Sequence, residues 1–163
     1  MPVDVLIEDA RWTGLALDVL ARRAFEATLS ARGLDPADWD VALLACDDAR
    51  IATLNGSFRG TERATNVLSW PSDARGAEAD GAEPKAPDPG SDPELGDLAL
   101  AYETCAREAE TGGISLEDHV THLIVHGLLH LLGYDHMRDG DGDLMESHET
   151  AILAGLGVPD PYA

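Results

Sequence analysis

Residues 115–136 read SLEDHVTHLIVHGLLHLLGYDH, and this stretch contains the best-defined helix of the chain. Ser115, with Asp118 three positions later, resembles a capping box that opens the helix. The helix is predicted over 116–132, and Gly133 is its stop because glycine readily takes the left-handed conformation that often ends a helix. The stretch therefore predicts a long helix followed by a sharp turn.

Four histidines share one face of this predicted helix, at spacings of three, four and four: His119, His122, His126 and His130. The strongest signal is H-x-x-x-H-x-x-G-x-x-H over 126–136, because two imidazoles one helical turn apart can reach a single ion at about 2.0–2.1 Å. Gly133 lets the chain turn so that a further histidine returns to the same ion. We predict one Zn²⁺ with three ligands and an open fourth position for water, as in catalytic zinc sites: His126, His130 and His136.

The other histidines, His119, His122 and His148, are interpreted as ordinary side chains of the core or surface, with His122 as the one that would support a ligand. The same spacing occurs in metzincin proteases, where a glutamate follows the first histidine and acts as general base. Gly127 stands at that position here, and glycine cannot take a proton, so ordinary zinc proteolysis is disfavoured. Asp135 would replace the missing base, orient His136, or simply be a solvated turn residue.

Around this stretch the chain alternates short apolar runs with helical patterns. Strands are predicted at 3–8, 39–46, 65–70 and 96–100. Helices are predicted from a cap at Thr13 to Gly33, from a cap at Asp47 to Asn55-Gly56, after the fourth strand to Gly112-Gly113, over 116–132, and from Asp143 to Leu156. This order favours a single α+β domain over 1–163, with a small mixed four-stranded sheet packed against about five helices and the zinc site on a central helix and its following turn.

Residues 72–95 differ from the rest of the chain. Four of the nine prolines fall here, among many Ala, Gly, Asp and Glu residues. Such a composition is typical of a solvated segment without a core of its own. We therefore predict a flexible acidic insertion at about 72–95.

Charge and composition limit the possible partners. The chain has 11 Lys and Arg residues against 31 Asp and Glu residues, a formal net charge of −20. This charge argues against a non-specific grip on nucleic acid or on anionic membrane. No window approaches the roughly 18 apolar residues of a membrane span, the first residues lack a signal-peptide pattern, and the two cysteines have no CxxC spacing. We expect a cytoplasmic protein.

Several sequence blocks together resemble the YbeY family of bacterial endoribonucleases. They are HGLLHLLGYDH at 126–136, LN at 54–55 with FRG at 58–60, TNVLSWP at 65–71, GD at 96–97, and the tail from Met145-Glu146 to Leu156-Gly157. Their order covers most of the chain except 72–95. Many members have Asp and Phe where this chain has Asn66 and Trp70, and both changes are mild.

The resemblance implies a zinc-dependent, single-strand-specific endoribonuclease that matures the 3′ end of small-subunit (16S) rRNA and takes part in ribosome quality control. It implies partners on the small ribosomal subunit, including its assembly factors. The metal ligands would be His126, His130 and His136, and the functional arginine would be Arg59. A guanidinium suits a phosphate clamp, although Arg59 would otherwise be read as an arginine that caps a helix end.

Two other functions remain open from the sequence. One is a zinc hydrolase of another class, such as a peptidase that uses a different carboxylate. The other is a non-catalytic ribosome-assembly factor that binds protein partners through its acidic surface. The sequence leaves the oligomeric state open, and a monomer is compatible with it.

Overall fold

A computed structural model describes residues 3–60, 62–88, 90 and 92–163, without the side chains of Phe58 and Arg59. The elements follow in the order β1 (Val3–Ile7), α1 (Leu17–Ala31), β2 (Asp40–Cys46), α2 (Asp48–Arg59), β3 (Val67–Pro71), β4 (Glu94–Ala101), α3 (Tyr102–Gly112), α4 (Leu116–Leu131) and α5 (Asp139–Gly155). Short 3-10 helices lie at Ala10–Gly14 and Pro36–Asp38. The predicted α+β class, with four strands and five α-helices, is confirmed.

The four strands form one mixed sheet in the order β1-β2-β4-β3. β1 pairs with β2 and β2 with β4 in parallel, whereas β3 runs antiparallel to β4. β1 is therefore an edge strand, and its Leu6 and Ile7 are 62% and 40% exposed. The other edge is β3, which lies beside the site described below.

Alternate residues of the central strands face two apolar layers, as the two-residue period of a strand requires. On β4, Leu98 and Leu100 enter the main core, while Ala99 and Ala101 join a smaller cluster with Ile51 of α2. The main core lies between the sheet and α1, α4 and α5. α4 is the most buried helix, and Ser115 caps it as predicted by accepting a hydrogen bond from the Asp118 amide at 3.1 Å.

Several predicted helix boundaries are wrong. Thr13 does not cap α1: it lies in the first 3-10 helix and donates to the Ala10 carbonyl, because buried Trp12 anchors that turn by donating to the Cys46 carbonyl at 2.9 Å. Asp47 does cap α2, but the helix passes Asn55-Gly56 and ends at Arg59, with Gly60 as its C-cap at a left-handed φ of 74°. α5 begins at Asp139 rather than at Asp143.

Gly56 was predicted to end α2 but has a packing role instead. A Cβ at this position would approach the Glu62 Cβ to 3.1 Å, so the glycine lets the chain after α2 fold back onto the helix. Between β3 and β4, the described residues form turns and extended chain without a helix or strand. In the part of the chain that the structure describes, no helix is both long and apolar enough to cross a membrane.

Candidate metal centre

The last turns of α4 and the loop after it bring three histidines together. The Nε2 atoms of His126 and His130 are 3.0 Å apart, and His136 supplies a nitrogen within 4.8 Å of both residues' ligand atoms. The ring centres of His126 and His136 are 5.5 Å apart, and the ring planes are inclined by 26°. The third imidazole therefore lies beside the other two. Gly133, with φ of 102°, makes the turn that returns the chain to this point.

Hydrogen bonds on the far side of each ring determine which nitrogens are free. His126 Nδ1 lies 2.5 Å from a Glu149 oxygen, and His130 Nδ1 lies 2.9 Å from the Tyr134 carbonyl. Both partners accept, so both Nδ1 atoms carry the hydrogen and both Nε2 atoms present lone pairs. Two lone pairs that face each other at 3.0 Å repel, and a shared cation removes that conflict.

This donor set fits zinc. Two nitrogens bound to one tetrahedral Zn²⁺ at about 2.0–2.1 Å would be about 3.3 Å apart, close to the observed separation. Burial, together with the nearby charges of His126 and His136, lowers the pKa of His130 to about 4. His130 is therefore neutral at physiological pH, as a metal ligand must be.

A buried carboxylate that the sequence analysis did not select supports the cluster. Glu149 of α5 is fully buried, and it accepts hydrogen bonds from His126, from His122 Nε2 at 3.0 Å and from the Tyr162 hydroxyl. Burial alone would raise its pKa, but the hydrogen bonds from His122 and His126 outweigh burial and lower the pKa to about 2. Glu149 thus stays ionised and holds His126 in the orientation that a ligand needs.

His122, His126 and Glu149 form a second group that could hold a metal ion by composition and proximity. The 2.5 Å contact between His126 Nδ1 and Glu149 is a direct hydrogen bond, too short for two ligands about 2.0 Å from an intervening ion. We interpret this group as support for the first. The remaining histidines have other partners, since His119 contacts Glu108 at 2.9 Å and His148 contacts Glu83 at 2.9 Å.

Gly127, at the position of the metzincin glutamate, is buried where α4 packs against the sheet. A Cβ there would approach a methyl carbon of Leu98 on β4 to 2.7 Å and one of Val67 on β3 to 3.5 Å. The helix face at this position meets apolar strand residues and not the cluster. A glutamate at position 127 would therefore clash with β4 in this packing.

The three histidines lie in an open cleft of about 1250 Å³. β3 forms one wall, residues 71–77 form another, and the start of α5 closes the far side. Asp135 also lines the cleft, and its exposed carboxylate accepts the His136 amide at 2.7 Å. Its charge acts to raise the pKa of His130, although the other effects outweigh it.

The structure describes only the backbone of Arg59, the candidate phosphate clamp. Arg59 is the last residue of α2, and its side chain lies outside the described part of the structure. Among the described residues, two arginines line the cleft, and both bind other protein groups: Arg75 donates to the Leu131 carbonyl at 2.7 Å, and Arg138 contacts Asp141 at 2.6 Å.

The mixed four-stranded sheet and its packed helices define an α+β protein. Three imidazoles converge at the end of α4, and they form a candidate metal centre in an open cleft. A family model described as Endoribonuclease YbeY matches residues 7–157. The chain belongs to this family.

Relatives agree with that assignment, and one solved structure shares the fold. A protein named Endoribonuclease YbeY from Jannaschia sp. (strain CCS1) is 60% identical over 99% of this chain and 100% of its own length. Proteins of the same name from Cereibacter sphaeroides and Rhodopseudomonas palustris are 58% and 44% identical, each over 98% of this chain, and over 98% and 91% of their own lengths. A solution structure from Thermotoga maritima shares the fold, with a TM-score of 0.56 at 18% identity over 95% of this chain and 91% of that one.

Proposed function

We propose that this chain is a zinc-dependent, single-strand-specific endoribonuclease that acts in 3′-end maturation of 16S rRNA and in ribosome quality control. The observation that carries the metal dependence is the pair of Nε2 lone pairs 3.0 Å apart in an open cleft, with His136 beside them. The family name Endoribonuclease supports RNA as the substrate.

His126, His130 and His136 would hold the ion. When bound, zinc would polarise a phosphodiester oxygen or lower the pKa of a water to about 7. The attacking group would be that water or the ribose 2′-hydroxyl. Asp135 is the carboxylate we assign as proton acceptor, because it lines the same cleft and Gly127 offers none.

Arg59 is assigned the role of phosphate clamp. Its guanidinium would bind the scissile phosphate and stabilise the charge that develops in the transition state. Among the described residues, the two arginines that line the cleft, Arg75 and Arg138, already bind protein acceptors, and this supports the assignment of another arginine as the clamp.

The partners follow from substrate and charge. A chain with a net charge of −20 repels RNA at long range, so delivery by the small ribosomal subunit and its assembly factors would supply the encounter. We place this reaction in the cytoplasm, where rRNA matures. A metal-stabilised assembly factor without catalysis is the competing function.

The test is cleavage of a single-stranded 16S rRNA 3′-end fragment by the wild type and by His130→Ala, purified in parallel. His119→Ala is the matched control, because it removes a histidine of the same helix that contacts Glu108 and not the cluster. We expect zinc-dependent cleavage by the wild type and the control, and none by His130→Ala.

Equal activity in all three preparations would overturn the assigned site. Absence of cleavage by the wild type, with and without small subunits, would favour the assembly-factor function. Zinc-dependent cleavage of an unfolded protein with RNA left intact would favour a peptidase, which the packing of Gly127 already disfavours.

A further inference from the structure

We propose that residues 72–83, here called the strap, position the metal-binding turn, with Glu83 acting as a positioning residue on His130 through Tyr134. This inference rests on the proposed metal centre for its functional meaning. The structural claim concerns how the turn at 132–138 is held, and it is tested separately below.

Three sets of hydrogen bonds, here called fastenings, hold the strap to the rest of the protein, and the first is made by Arg75. Its guanidinium donates to the Leu131 carbonyl at 2.7 Å and to the Leu95 carbonyl at 3.2 Å, so it joins the strap to the end of α4 and the start of β4. The strap backbone also lies against the glycine of the histidine motif. A Cβ on Gly133 would come within 2.5 Å of the Arg75 carbonyl oxygen. Gly133 therefore permits a close approach in addition to the turn.

The second fastening lies after His136, at the start of α5. Arg138 donates to the carbonyls of Ala77 and Glu78, each at 2.8 Å. Asp80 of the strap accepts the Asp141 amide at 2.8 Å, and Asp141 accepts the Gly81 amide at 2.9 Å. The strap is thus bound on both sides of the turn.

The third fastening is Glu83, which lies beside the turn itself. Its carboxylate accepts hydrogen bonds from the Tyr134 hydroxyl and from His148 Nε2, the latter at 2.9 Å. Arg32 donates to His148 Nδ1 at 3.2 Å, and since arginine only donates, the hydrogen of His148 is on Nε2 and points to Glu83. Arg32 also donates to the Tyr134 oxygen at 2.9 Å.

The link to the metal centre runs through Tyr134. Its side chain is held by Glu83 and Arg32, and the residue is only 6% exposed. The carbonyl of the same residue accepts from His130 Nδ1 at 2.9 Å, which determines the tautomer that turns Nε2 to the metal. Loss of Glu83 would release the tyrosine, and with it the acceptor that orients His130.

The first experiment measures Zn²⁺ affinity by competition with a chromophoric chelator. Glu83→Ala and Tyr134→Phe are compared with Glu78→Ala, an exposed strap residue whose backbone but not side chain binds Arg138. Loss of such supporting partners costs about 10–100-fold in metal affinity, and because Glu83 is half exposed we expect about tenfold for both test variants. The control should retain the wild-type affinity.

Two further variants separate positioning from general stabilisation. Glu83→Gln keeps an oxygen that accepts from Tyr134 but turns its amide group towards the Nε2 hydrogen of His148, so its affinity should lie between those of Glu83→Ala and the wild type. The double variant Glu83→Ala/Tyr134→Phe should lose no more affinity than either single variant, because both act through one hydrogen bond. Midpoints of urea unfolding, measured alongside, should fall far less than the affinity.

The second experiment needs no metal. Amide hydrogen exchange of residues 132–138 in chelator-treated protein should accelerate several-fold in Glu83→Ala and remain unchanged in Glu78→Ala. Unchanged exchange would overturn the strap inference whether or not the wild type binds zinc. Faster exchange in Glu83→Ala, together with a wild type that binds no zinc, would keep the strap and refute the proposed metal centre. Unchanged zinc affinity in a zinc-binding protein would refute the link to His130.

Discussion

Glu149 lies at the centre of a hydrogen-bonded group that includes His122, His126 and Tyr162. The spacing of the histidines predicted which imidazoles converge, because one helix and one tight turn determine their positions. Glu149 is 23 positions from His126 on another helix, and no local motif links the two. One signal was present: Glu149 falls on the same helical stripe as the buried Met145 and Ile152, where an acid requires partners.

Replacement of Glu149 by glutamine should weaken zinc binding about 10–100-fold, because a neutral amide holds His126 less firmly and lowers its basicity as a ligand. Affinity would be measured by chelator competition. Glu146→Gln, an exposed change one turn earlier on α5, is the control. Equal affinities for both variants would show that Glu149 does not support the ligand.

The low pKa of Glu149 predicts an acid-dependent loss of stability in the metal-free protein. The pKa falls from an ordinary 4.5 to about 2 on folding, so ionised Glu149 stabilises the fold above pH 4.5 and this contribution disappears as the pH falls towards 2. At about 1.4 kcal/mol for each pKa unit, it is on the order of 3 kcal/mol. Urea unfolding at stepped pH should show the wild type losing this advantage over Glu149→Gln in that window. An advantage that grew on acidification would contradict the assignment.

Arg59→Ala should lower kcat for RNA cleavage about 10²–10³-fold, the usual effect of removing one donor to a transition-state oxyanion. Zinc content and the unfolding midpoint should stay unchanged. Arg23→Ala, on the exposed side of α1, removes the same charge away from the cleft and serves as the control. Full activity in Arg59→Ala would remove the clamp from the mechanism.

Among the elements, α4 matches its prediction from the sequence most closely. Its cap, its apolar stripe and the glycine that stops it all predict the same helix. α1 and α2 departed from prediction for tertiary reasons. Trp12 anchors a 3-10 turn before α1, and Asn55 continues α2 while its side chain binds the Arg63 carbonyl at 3.0 Å. Contacts of this kind join segments that are separate in the sequence, so no periodic sequence pattern reveals them.

The contact of α4 with β4 predicts the result of rebuilding the metzincin motif. Gly127→Glu would force a carboxylate into the space beside Leu98, and we expect a loss of at least about 3 kcal/mol in the free energy of unfolding with no gain of peptidase activity. Urea unfolding and a casein assay would measure the two. Gly155→Glu, at the exposed end of α5 where an added Cβ meets nothing within 4 Å, is the control for the same added side chain and charge. A stable, proteolytic Gly127→Glu variant would contradict the observed packing.

At the scale of the whole molecule, the net charge and the engaged arginines limit RNA binding. We expect binding of a single-stranded rRNA fragment to His130→Ala to weaken only mildly with salt, with a log–log slope no steeper than about −2, since each neutralised phosphate contributes about −0.7. Fluorescence anisotropy between low and moderate salt would measure the slope. A much steeper slope would reveal a basic surface that the described residues do not show.

The strap was the part of the molecule least accessible to sequence reasoning. The composition of 72–95, which includes the strap, predicted a flexible acidic insertion, but its last residues Glu94 and Leu95 belong to β4, and Leu95 is buried. The fastenings of the strap use backbone carbonyls of Ala77, Glu78 and Leu131, which any sequence presents equally. The flexibility of 72–95 stays a prediction, which amide hydrogen exchange of that segment itself would test.

The exposed edge strand β1 has a consequence for colloidal behaviour. Among the described residues, no strand pairs with its outer edge, which lies beside the exposed Leu6 and Ile7 and can serve as a template on which a second chain adds a strand. Mutual repulsion between molecules carrying a charge of −20 opposes that encounter at neutral pH. Protonation of carboxylates in acid, or screening by concentrated salt, weakens the repulsion between molecules but does not change the outer edge of β1. Precipitation under those conditions would begin from folded molecules, at β1.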